Sequence, residues 1–582
     1  MPQPPSHLTR RALIKGIGAS ALLPLLSANL AGCSDSSDSR ADGDTPIDSV
    51  PATFEHGVAS GDPLDDRVIL WTRVTPEREG TVAVDWELAL DEAFEQVVAS
   101  GQDTTTSAVD YTFKVDAVGL DPGSDYFYRF RSGDNSSPVG RTRTAATGAL
   151  ASVSFAVVSC SNYPAGFFNV YREVAGREVD AVLHLGDYIY EYGADGYASE
   201  RAEAYGRVVT PPTEIVSLAD YRARYAQYHG DPDLQACHAR HPFIVVWDDH
   251  EVANDAWREG AENHSPDSEG GYGERRAAAI QAWYEWLPVR PPADAREIIY
   301  RRFRYGDLVD LLMLDTRNIG RDRQVDYTAF ANGGVIDPVA ARAAVADSAR
   351  TLLGGEQLDW LKGALSDSGA RWQVLGQQVL MARQAMPEPL VRALATSIGG
   401  DSALEEATAA ALTAVAAKGK APQDRSAAEQ ALLDSAIPLN PDAWDGYAFE
   451  RDDLLNHARQ LQSRLVVFAG DTHNAWASQL TAADGEVVGV EFACPSVSSP
   501  GAEAVIGADN AALFGPLAVN LVDDLRYANL VNRGFVEATF TADSAQARWL
   551  YVSGVDSRDY QLDADAERHL GVARDTLLVN GI

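Results

Sequence analysis

The sequence predicts a large α/β domain preceded by a smaller all-β domain. Two observations support this fold class. In residues 148–582, short apolar strands alternate with helical segments, a pattern typical of a sheet layered between helices. In residues 52–147, strand-like runs and turn signals occur without a helical pattern. The 582 residues provide ample chain for several domains and a large core.

The composition limits the possible functions. Hydrophobic residues make up 46% of the chain, which excludes wholesale disorder. The 48 Lys and Arg residues are opposed by 84 Asp and Glu residues, giving a formal net charge of −36. Such a field repels nucleic-acid backbones, so we expect no nucleic-acid partner. An anionic substrate would need bound cations or local positive patches to overcome this field.

The first 33 residues indicate an export signal rather than part of the fold. The run from Thr9 to Lys15 contains Arg10 and Arg11 and resembles a twin-arginine motif. The apolar stretch that follows is short and interrupted by glycine and proline, so it is a poor candidate for a membrane-spanning helix.

The apolar stretch ends in the sequence Leu-Ala-Gly-Cys at residues 30–33, which resembles a lipobox. The expected consequence is lipidation of Cys33, the first residue of the mature protein. The alternative is an ordinary cleaved signal in which Cys33 is incidental. Residues 34–51 are rich in Ser and Asp and predict a solvated linker. The protein is therefore expected to be exported by the twin-arginine route to the periplasm or cell surface and held there by a lipid anchor.

Besides Cys33, the chain contains three cysteines, namely Cys160, Cys237 and Cys494. Because their number is odd, they cannot all pair within the chain. At least one is therefore a free thiol, a metal ligand or linked to another molecule. Cys237 and Cys494 are left as either a pair or two free thiols.

The N-terminal β domain is predicted from three runs, residues 68–74, 82–88 and 126–130. The segment 120–128, which includes an Asp-Pro-Gly turn, resembles the late corner of a fibronectin type III sandwich. Since no catalytic constellation is evident there, we interpret this domain as a packing module.

Six buried-type strands define the large α/β domain, with a helix at 169–176 after the first of them. Residues 386–437 are rich in alanine and charge, and predict a helical insertion that covers part of the site. Closing strands are expected at 536–540 and 547–552. The six strands are predicted at 153–158, 181–185, 243–247, 308–314, 372–375 and 464–469.

Polar side chains suited to metals follow four of these strands, at the sheet edge where open α/β folds place their sites. An Asp after the second strand can bridge two cations, and a Tyr three residues later favours Fe3+ as a phenolate. Each strand end also has an ordinary interpretation as a cap, a turn, a solvated loop or a buried thiol. Together they predict a two-metal hydrolytic centre. The candidate residues are Cys160, Asp187, Tyr190, Asp249, His250, Asn254, Asp471 and His473.

These residues lie in a set of short motifs, accompanied by two segments elsewhere in the chain. The motifs are Val-Ser-Cys at 158–160, Gly-Asp-Tyr-Ile-Tyr-Glu at 186–191, Trp-Asp-Asp-His-Glu at 247–251 with Asn254, Gly-Asp-Thr-His at 470–473, His-Gly-Val-Ala-Ser-Gly-Asp-Pro at 56–63 and Trp-Asp-Gly-Tyr at 444–447.

This set resembles the alkaline phosphatase D (PhoD-like) family of the calcineurin-like metallophosphoesterases, over nearly all of the mature chain and in the family's order. The resemblance implies a β-sandwich flanked by helices, preceded by the fibronectin-like domain. It implies that Asp187 bridges the metals. It further implies one Fe3+ held by Cys160, Tyr190 and His473, and one or two Ca2+ ions, with Asn254 and Asp471 as ligands.

Asp249 and His250 lie in the matching motif, where they are the candidate catalytic residues; whether each is a ligand or a proton donor is left open. Purple acid phosphatases share a Gly-Asp-x-x-Tyr segment but carry Gly-Asn-His-Glu at the third strand. Here that strand is followed by Asp248-Asp249-His250-Glu251, and the first strand ends in Cys160 instead of Asp. Both departures favour the alkaline phosphatase D resemblance.

The functional hypothesis is an exported, metal-dependent phosphoester hydrolase. A metal-activated water would attack phosphorus in phosphomonoesters, phosphodiesters or both. One alternative is a phospholipase D-type phosphodiesterase acting on lipid head groups, which a lipid anchor would hold beside its substrate. A second alternative is a surface lipoprotein that binds a partner and has a degenerate metal site. The intact candidate ligands argue against degeneracy.

Overall fold

The computed structural model describes residues 49–292, 297–395 and 401–581. The predicted export signal with its lipobox lies outside the described residues, as does the predicted linker up to residue 48. All described residues belong to one structural unit.

The N-terminal region is built from β-strands, and the three predicted strands are confirmed. Side chains alternate along the third of them: Tyr126, Tyr128 and Phe130 are buried in a small core, while their neighbours are more exposed. The strands of this region are β1 (Ala52–Thr53), β2 (Val58–Gly61), β3 (Arg67–Arg73), β4 (Thr75–Pro76), β5 (Val82–Ala89), β6 (Val97–Thr105), β7 (Thr112–Val118), β8 (Asp125–Ser132), β9 (Asn135–Ser136) and β10 (Gly140–Arg143).

Three N-terminal strands join the sheet of the catalytic core. β2 pairs in parallel with a core strand, Ser60 lying opposite Pro242 and Gly61 opposite Phe243. Glycine is required at position 61 because a Cβ there would lie 2.3 Å from the carbonyl oxygen of Pro288. β3 and β7 extend the same sheet, so the N-terminal region and the core share their backbone hydrogen bonding.

The α/β region contains the six predicted strands, each within two residues of its expected bounds, and both predicted closing strands, which begin three residues earlier than expected. Its strands are β11 (Ser152–Val158), β12 (Ala181–His184), β13 (Pro242–Val245), β14 (Arg301–Tyr305), β15 (Val309–Met313), β16 (Ala331–Asn332), β17 (Val335–Ile336), β18 (Trp372–Gly376), β19 (Ala385–Met386), β20 (Ile437–Pro438), β21 (Leu465–Ala469), β22 (Ala475–Thr481), β23 (Val487–Ala493), β24 (Leu525–Asn529), β25 (Arg533–Thr541), β26 (Ser544–Val552), β27 (Arg568–Ala573) and β28 (Val579–Gly581).

These strands form two large sheets. The first has ten strands in the order β28-β27-β26-β25-β11-β12-β13-β2-β3-β7. The second has seven strands in the order β14-β15-β18-β21-β23-β22-β24. β11, β12 and β13 run parallel in the first sheet, and β15, β18, β21 and β23 run parallel in the second. The carboxyl ends of these parallel strands form one edge of the sandwich. The candidate ligands lie at this edge, in the loops that follow the strands.

The two sheets pack face to face, as the expected β-sandwich requires. The ring of Phe540 in the first sheet lies 6.2 Å from Phe468 and 6.1 Å from Trp372 in the second. Phe492 and Trp549 make a similar contact at 5.5 Å. Such edge-to-face aromatic pairs stabilise the interior beyond the effect of apolar burial alone.

Helices flank the sandwich, and the helix predicted at 169–176 is confirmed. Among the described helices, none combines the length and the hydrophobicity needed to cross a membrane. The helices are α1 (Asn169–Ala175), α2 (Ala202–Tyr205), α3 (Leu218–His229), α4 (Pro232–Arg240), α5 (Pro266–Glu269), α6 (Tyr272–Trp286), α7 (Pro338–Val345), α8 (Gly354–Ser366), α9 (Glu388–Ala395), α10 (Asp401–Lys418), α11 (Ala427–Asp434), α12 (Ala448–Gln460), α13 (Ala502–Ile506) and α14 (Ala508–Leu521).

The predicted insertion at 386–437 is helical and comprises α9, α10 and α11. Its two ends are joined by β19 and β20, which pair antiparallel with Ala385 opposite Pro438 and Met386 opposite Ile437. The chain therefore leaves the core and returns to it at adjacent points.

The three described cysteines, Cys160, Cys237 and Cys494, are all buried and free. Of the two alternatives for Cys237 and Cys494, a disulfide or two free thiols, the structure shows two free thiols. Cys494 Sγ lies 3.3 Å from Ser159 Oγ, beside the strand end that carries Cys160.

Candidate metal centre and active site

The ends of β11, β12 and β13 meet through backbone contacts. Cys160 N–H donates to the carbonyl oxygen of Gly186 at 3.1 Å, which ties the first strand end to the second. Gly186 has φ 106°, and a Cβ there would lie 2.4 Å from Cβ of Asp248. Glycine in this conformation therefore allows the second and third strand ends to come into contact.

The second sheet reaches the same point through β21. A Cβ at Gly470 would lie 2.6 Å from Ser159 Oγ, so glycine again permits the close approach. Four candidate ligands have positive φ, a strained conformation for residues other than glycine that clusters at functional sites. These are Cys160 (61°), Asp187 (55°), Asp471 (63°) and His473 (60°).

Cys160, Asp187 and His473 form the first candidate metal group, each with a ligand atom within 4.8 Å of the others. Tyr190 joins them: its hydroxyl lies 3.0 Å from Asp187 Oδ2 and 3.1 Å from His473 Nε2. Burial, reinforced by the charge of Asp187, raises the pKa of both the Cys160 thiol and the Tyr190 phenol. Each group would therefore become an anion only beside a cation.

The donor set fits a metal ion. Asp187 Oδ1 is buried and has no hydrogen-bond partner among the described residues, an arrangement that is costly without a ligand. The set combines sulfur, phenol oxygen, imidazole nitrogen and carboxylate oxygen, which suits a transition metal better than an alkaline-earth ion.

Two further groups extend the site. Asp187, Asp249 and His250 form one, and Asp248, Asp249 and Asp471 form the other. Asp187 belongs to the first candidate metal group as well as to the second, as expected of a bridging carboxylate.

The predicted ligand Asn254 lines the same cavity as Asp187, Asp249 and Asp471. Its side chain donates a hydrogen bond to Glu262 at 3.3 Å. All eight residues predicted from the sequence therefore lie at this single edge.

His250 is held by a carboxylate that sequence reasoning did not single out. Its Nδ1 lies 2.7 Å from Glu191 Oε2, and both side chains are buried. Burial alone would lower the pKa of His250, but Glu191, Asp249 and Asp187 outweigh it and raise the pKa well above its ordinary value. Glu191 also accepts hydrogen bonds from the Asn254 backbone and the Asn263 side chain, both at 2.8 Å. The imidazole is therefore fixed in place, and the surrounding carboxylates favour its charged form.

Glu251 organises the loops beneath the site. Its carboxylate accepts hydrogen bonds from the backbone N–H groups of Asp187 at 3.0 Å, Tyr188 at 2.5 Å and Asp248 at 2.6 Å. Burial and the neighbouring Asp187 raise the pKa of Glu251 to about 8. The motif glutamate thus positions the second and third strand ends rather than facing the cavity.

Arg317 was also missed by sequence reasoning. It follows β15 and is completely buried. Its guanidinium donates to Asp248 at 2.5 Å and to Asp442 at 2.7 Å, and it also contacts Asp471. Its position after the fourth predicted strand was the available signal. Asp442 follows no predicted strand; the signal for it was its position two residues before the Trp-Asp-Gly-Tyr motif at 444–447.

One guanidinium cannot neutralise this many carboxylates. Burial raises the pKa of Asp248 and of Asp471 well above the ordinary value despite the contact with Arg317. Additional positive charge at this position would lower both pKa values, as expected where a divalent cation binds.

Ser499, from the small-residue loop after Cys494, completes the site. Its Oγ lies 2.6 Å from the Tyr190 hydroxyl and 2.9 Å from the Cys160 carbonyl oxygen. This serine therefore supports candidate ligands.

An open cavity of about 690 Å³ lies over the candidate ligands. Asp187, Asp249, His250 and His473 line it. Arg392 of α9 also lines it, so the insertion contributes to its wall, as expected. The volume lies in the range typical of small-molecule sites.

Comparisons with known proteins agree with this geometry. A family model described as PhoD-like phosphatase matches residues 155–549, and a model described as PhoD-like phosphatase, N-terminal domain, matches residues 40–146. Alkaline phosphatase D of Bacillus subtilis (strain 168) is 36% identical over 467 residues, which cover 77% of this chain and 70% of that protein. A solved structure described as "Structure of PhoD" is 30% identical, with a TM-score of 0.72 over 92% of this chain and 93% of that chain. The chain therefore belongs to the PhoD-like phosphatase family and is a phosphoric ester hydrolase.

Proposed function

We propose that this hydrolase is exported, depends on metal ions and cleaves small phosphomonoesters, phosphodiesters or both. The observation that supports metal dependence most strongly is the convergence of Cys160, Asp187, Tyr190 and His473, with Asp187 Oδ1 unpartnered among the described residues. The name of the relative from Bacillus subtilis supports phosphate esters as substrates.

The proposed ligands divide into two sets. Cys160, Tyr190 and His473 would hold one Fe3+, and Asp187 would bridge it to the neighbouring cations. Asn254 and Asp471 would hold one or two Ca2+ ions. When bound, such cations supply Lewis acidity: they neutralise phosphate oxygens and activate water for attack on phosphorus.

The protein's own groups would position the ester and supply a proton. His250 lines the cavity, and the carboxylates of Glu191, Asp249 and Asp187 raise its pKa, which favours the protonated form. We assign it the role of proton donor to the leaving oxygen. Asp249 raises the pKa of His250, so it stabilises the charged imidazole. It also accepts a hydrogen bond from the Asp255 backbone at 2.6 Å, which fixes the loop.

The test combines metal analysis with kinetics. We expect the purified protein to contain iron and calcium and to hydrolyse 4-nitrophenyl phosphate or bis(4-nitrophenyl) phosphate. Asp187→Ala is expected to lose both bound metal and turnover. Asp326→Asn, an exposed substitution on the rim of the same cavity, is the control and is expected to retain both. An Asp187→Ala protein that keeps its metal and its activity would refute the bridging assignment.

Substrate class is tested separately. Turnover is compared for a monoester, a diester and phosphatidylcholine presented in vesicles. A preference for the lipid would support the phospholipase D-type alternative, whereas a preference for either small ester would support the main proposal.

We also propose export by the twin-arginine route and lipid anchoring at Cys33, which would place the protein in the periplasm or at the cell surface. This proposal rests on the sequence around Arg10, Arg11 and Cys33. Replacing both arginines by lysine is expected to keep the protein in the cytoplasm. Cys33→Ala is expected to release it from the membrane fraction, and unchanged membrane association would refute the anchor.

A further inference from the structure

A second cavity of about 440 Å³ adjoins the active-site cavity, and we call it the side pocket. His473 and Asn440 line both cavities, so the side pocket begins at a proposed metal ligand. Its wall is mainly apolar and includes Met386, Leu439, Trp476, Ile506, Phe514 and Leu530.

The side pocket is formed by elements on two sides of the site. Met386 and Leu439 belong to the paired ends of the insertion or adjoin them. Ile506 and Phe514 come from α13 and α14, which follow the loop that carries Ser499. An apolar cavity of this size, next to a polar catalytic cavity, has the character of a ligand subsite.

Two polar groups in this lining lack partners. Gln384 Nε2 and Asn474 Nδ2 are buried without a hydrogen-bond partner in the part of the chain that the structure describes, and each residue is only 4% exposed. The orientation of the Asn474 amide is defined because its Oδ1 accepts a hydrogen bond from the Ala502 backbone at 3.3 Å. Its Nδ2 is therefore an unused donor that lies behind the pocket surface, beside Gly501.

We propose that the side pocket binds an apolar ester group of the substrate, an alkyl or aryl substituent next to the phosphate. The inference rests on the proposed function, since it requires the phosphate to lie against the metal ligands. His473 links the two cavities, so a phosphate at the metal centre and its ester substituent would occupy them together. The apolar wall would bind the substituent by the hydrophobic effect.

The experiment measures binding rather than turnover. Methylphosphonate and hexylphosphonate have the same anionic head, cannot be hydrolysed as esters, and differ by five methylene groups. Their affinities for the metal-loaded protein are compared by calorimetry. Burial of each methylene favours binding by about 0.8 kcal/mol at most, or roughly fourfold. We expect hexylphosphonate to bind at least about tenfold more tightly, with a more negative heat-capacity change.

Two variants localise the effect. Ala518→Phe fills the side pocket from α14 and is expected to abolish the preference for hexylphosphonate. If that variant does not fold, Val505→Asp places a charge at a pocket residue that is 60% exposed and is expected to weaken the same preference. Leu513→Phe, on the exposed side of α14, is the matched control and should retain it.

The outcomes separate this inference from the proposed function. Equal affinity of the wild-type protein for the two phosphonates would overturn the proposed subsite. The same result is expected if another segment of the chain fills the side pocket, and it would overturn the proposal in that case too. A preference unchanged by both pocket variants would also overturn it. A preference lost in the pocket variants, in a protein that hydrolyses no phosphoester, would support the subsite while the proposed function fails.

Discussion

Arg317 donates a hydrogen bond from Nε to Oδ1 of Asp248 across 2.5 Å, and both side chains are completely buried. The same guanidinium contacts Asp442 and Asp471. A fixed positive charge therefore lies among three carboxylates, of which Asp248 and Asp471 also belong to a candidate metal group. Without it, buried like charges would face one another across the two sheets.

Arg317→Ala is expected to destabilise the metal-free protein by about 3–5 kcal/mol, because it leaves buried carboxylates uncompensated. Urea unfolding measures the change. Arg459→Ala is the control, since Arg459 forms a surface ion pair with Asp484 and such pairs contribute about 0–1 kcal/mol. Added calcium should stabilise the Arg317 variant by more than it stabilises the wild type. Similar destabilisation in the two variants would contradict the role assigned to Arg317.

Tyr190→Phe is expected to remove the visible absorption band that a tyrosinate–iron pair would give. Tyr197→Phe is the matched control, because its hydroxyl lies 3.2 Å from the other ring nitrogen of His473 and 2.6 Å from the Pro500 carbonyl oxygen. Tyr197 is not a proposed ligand, so the band should persist in that variant. A band that survives in the Tyr190 variant would exclude Tyr190 as the source of the colour.

Glu191→Gln is expected to change the pH profile of turnover. The Glu191 carboxylate raises the pKa of His250, so its loss lowers that pKa. If His250 donates a proton, activity falls as pH rises through its pKa. The alkaline limb of kcat/KM should therefore move to lower pH, and activity at acidic pH should change less. An unchanged alkaline limb in a folded, metal-loaded variant would argue against His250 as the proton donor.

Arg392→Ala tests the contribution of the insertion to substrate binding. Arg392 lines the active-site cavity from α9, so its removal should raise KM for an anionic ester several-fold, with a smaller effect on kcat. Arg425→Ala is the control within the same insertion, where Arg425 donates to the carbonyl oxygen of Ala417. Equal KM values for both variants and the wild type would show that the insertion does not contribute to substrate binding through Arg392.

Local sequence patterns account for most of the sandwich and for the position of the site. The predicted strand at 464–469 is observed as Leu465–Ala469, since a short apolar run between polar segments can be buried on both faces. The candidate ligands converge because parallel strands end at a common edge. The sharing of a sheet through Ser60 and Pro242 was not predictable, because pairing across such a separation leaves no local pattern.

The same limit applies within the site. Arg317 and Asp442 are 125 residues apart, and neither shows in sequence that it will meet the other. Glu191 belongs to a recognised motif, but its contact with His250 depends on how two loops fold over the sheet edge. The ligand types were therefore predictable from strand ends, whereas the charges that compensate and orient them were not.

The pairing of Ala385 with Pro438 has a consequence for how this enzyme can diversify. Paired antiparallel strands hold their Cα atoms about 5 Å apart, whatever the length of chain between them. Lengthening the insertion between these two strands adds little closure entropy, so its length can change at a small cost in folding free energy. Such changes would alter the part of the cavity wall that Arg392 provides and leave the candidate metal-binding edge of the two sheets intact.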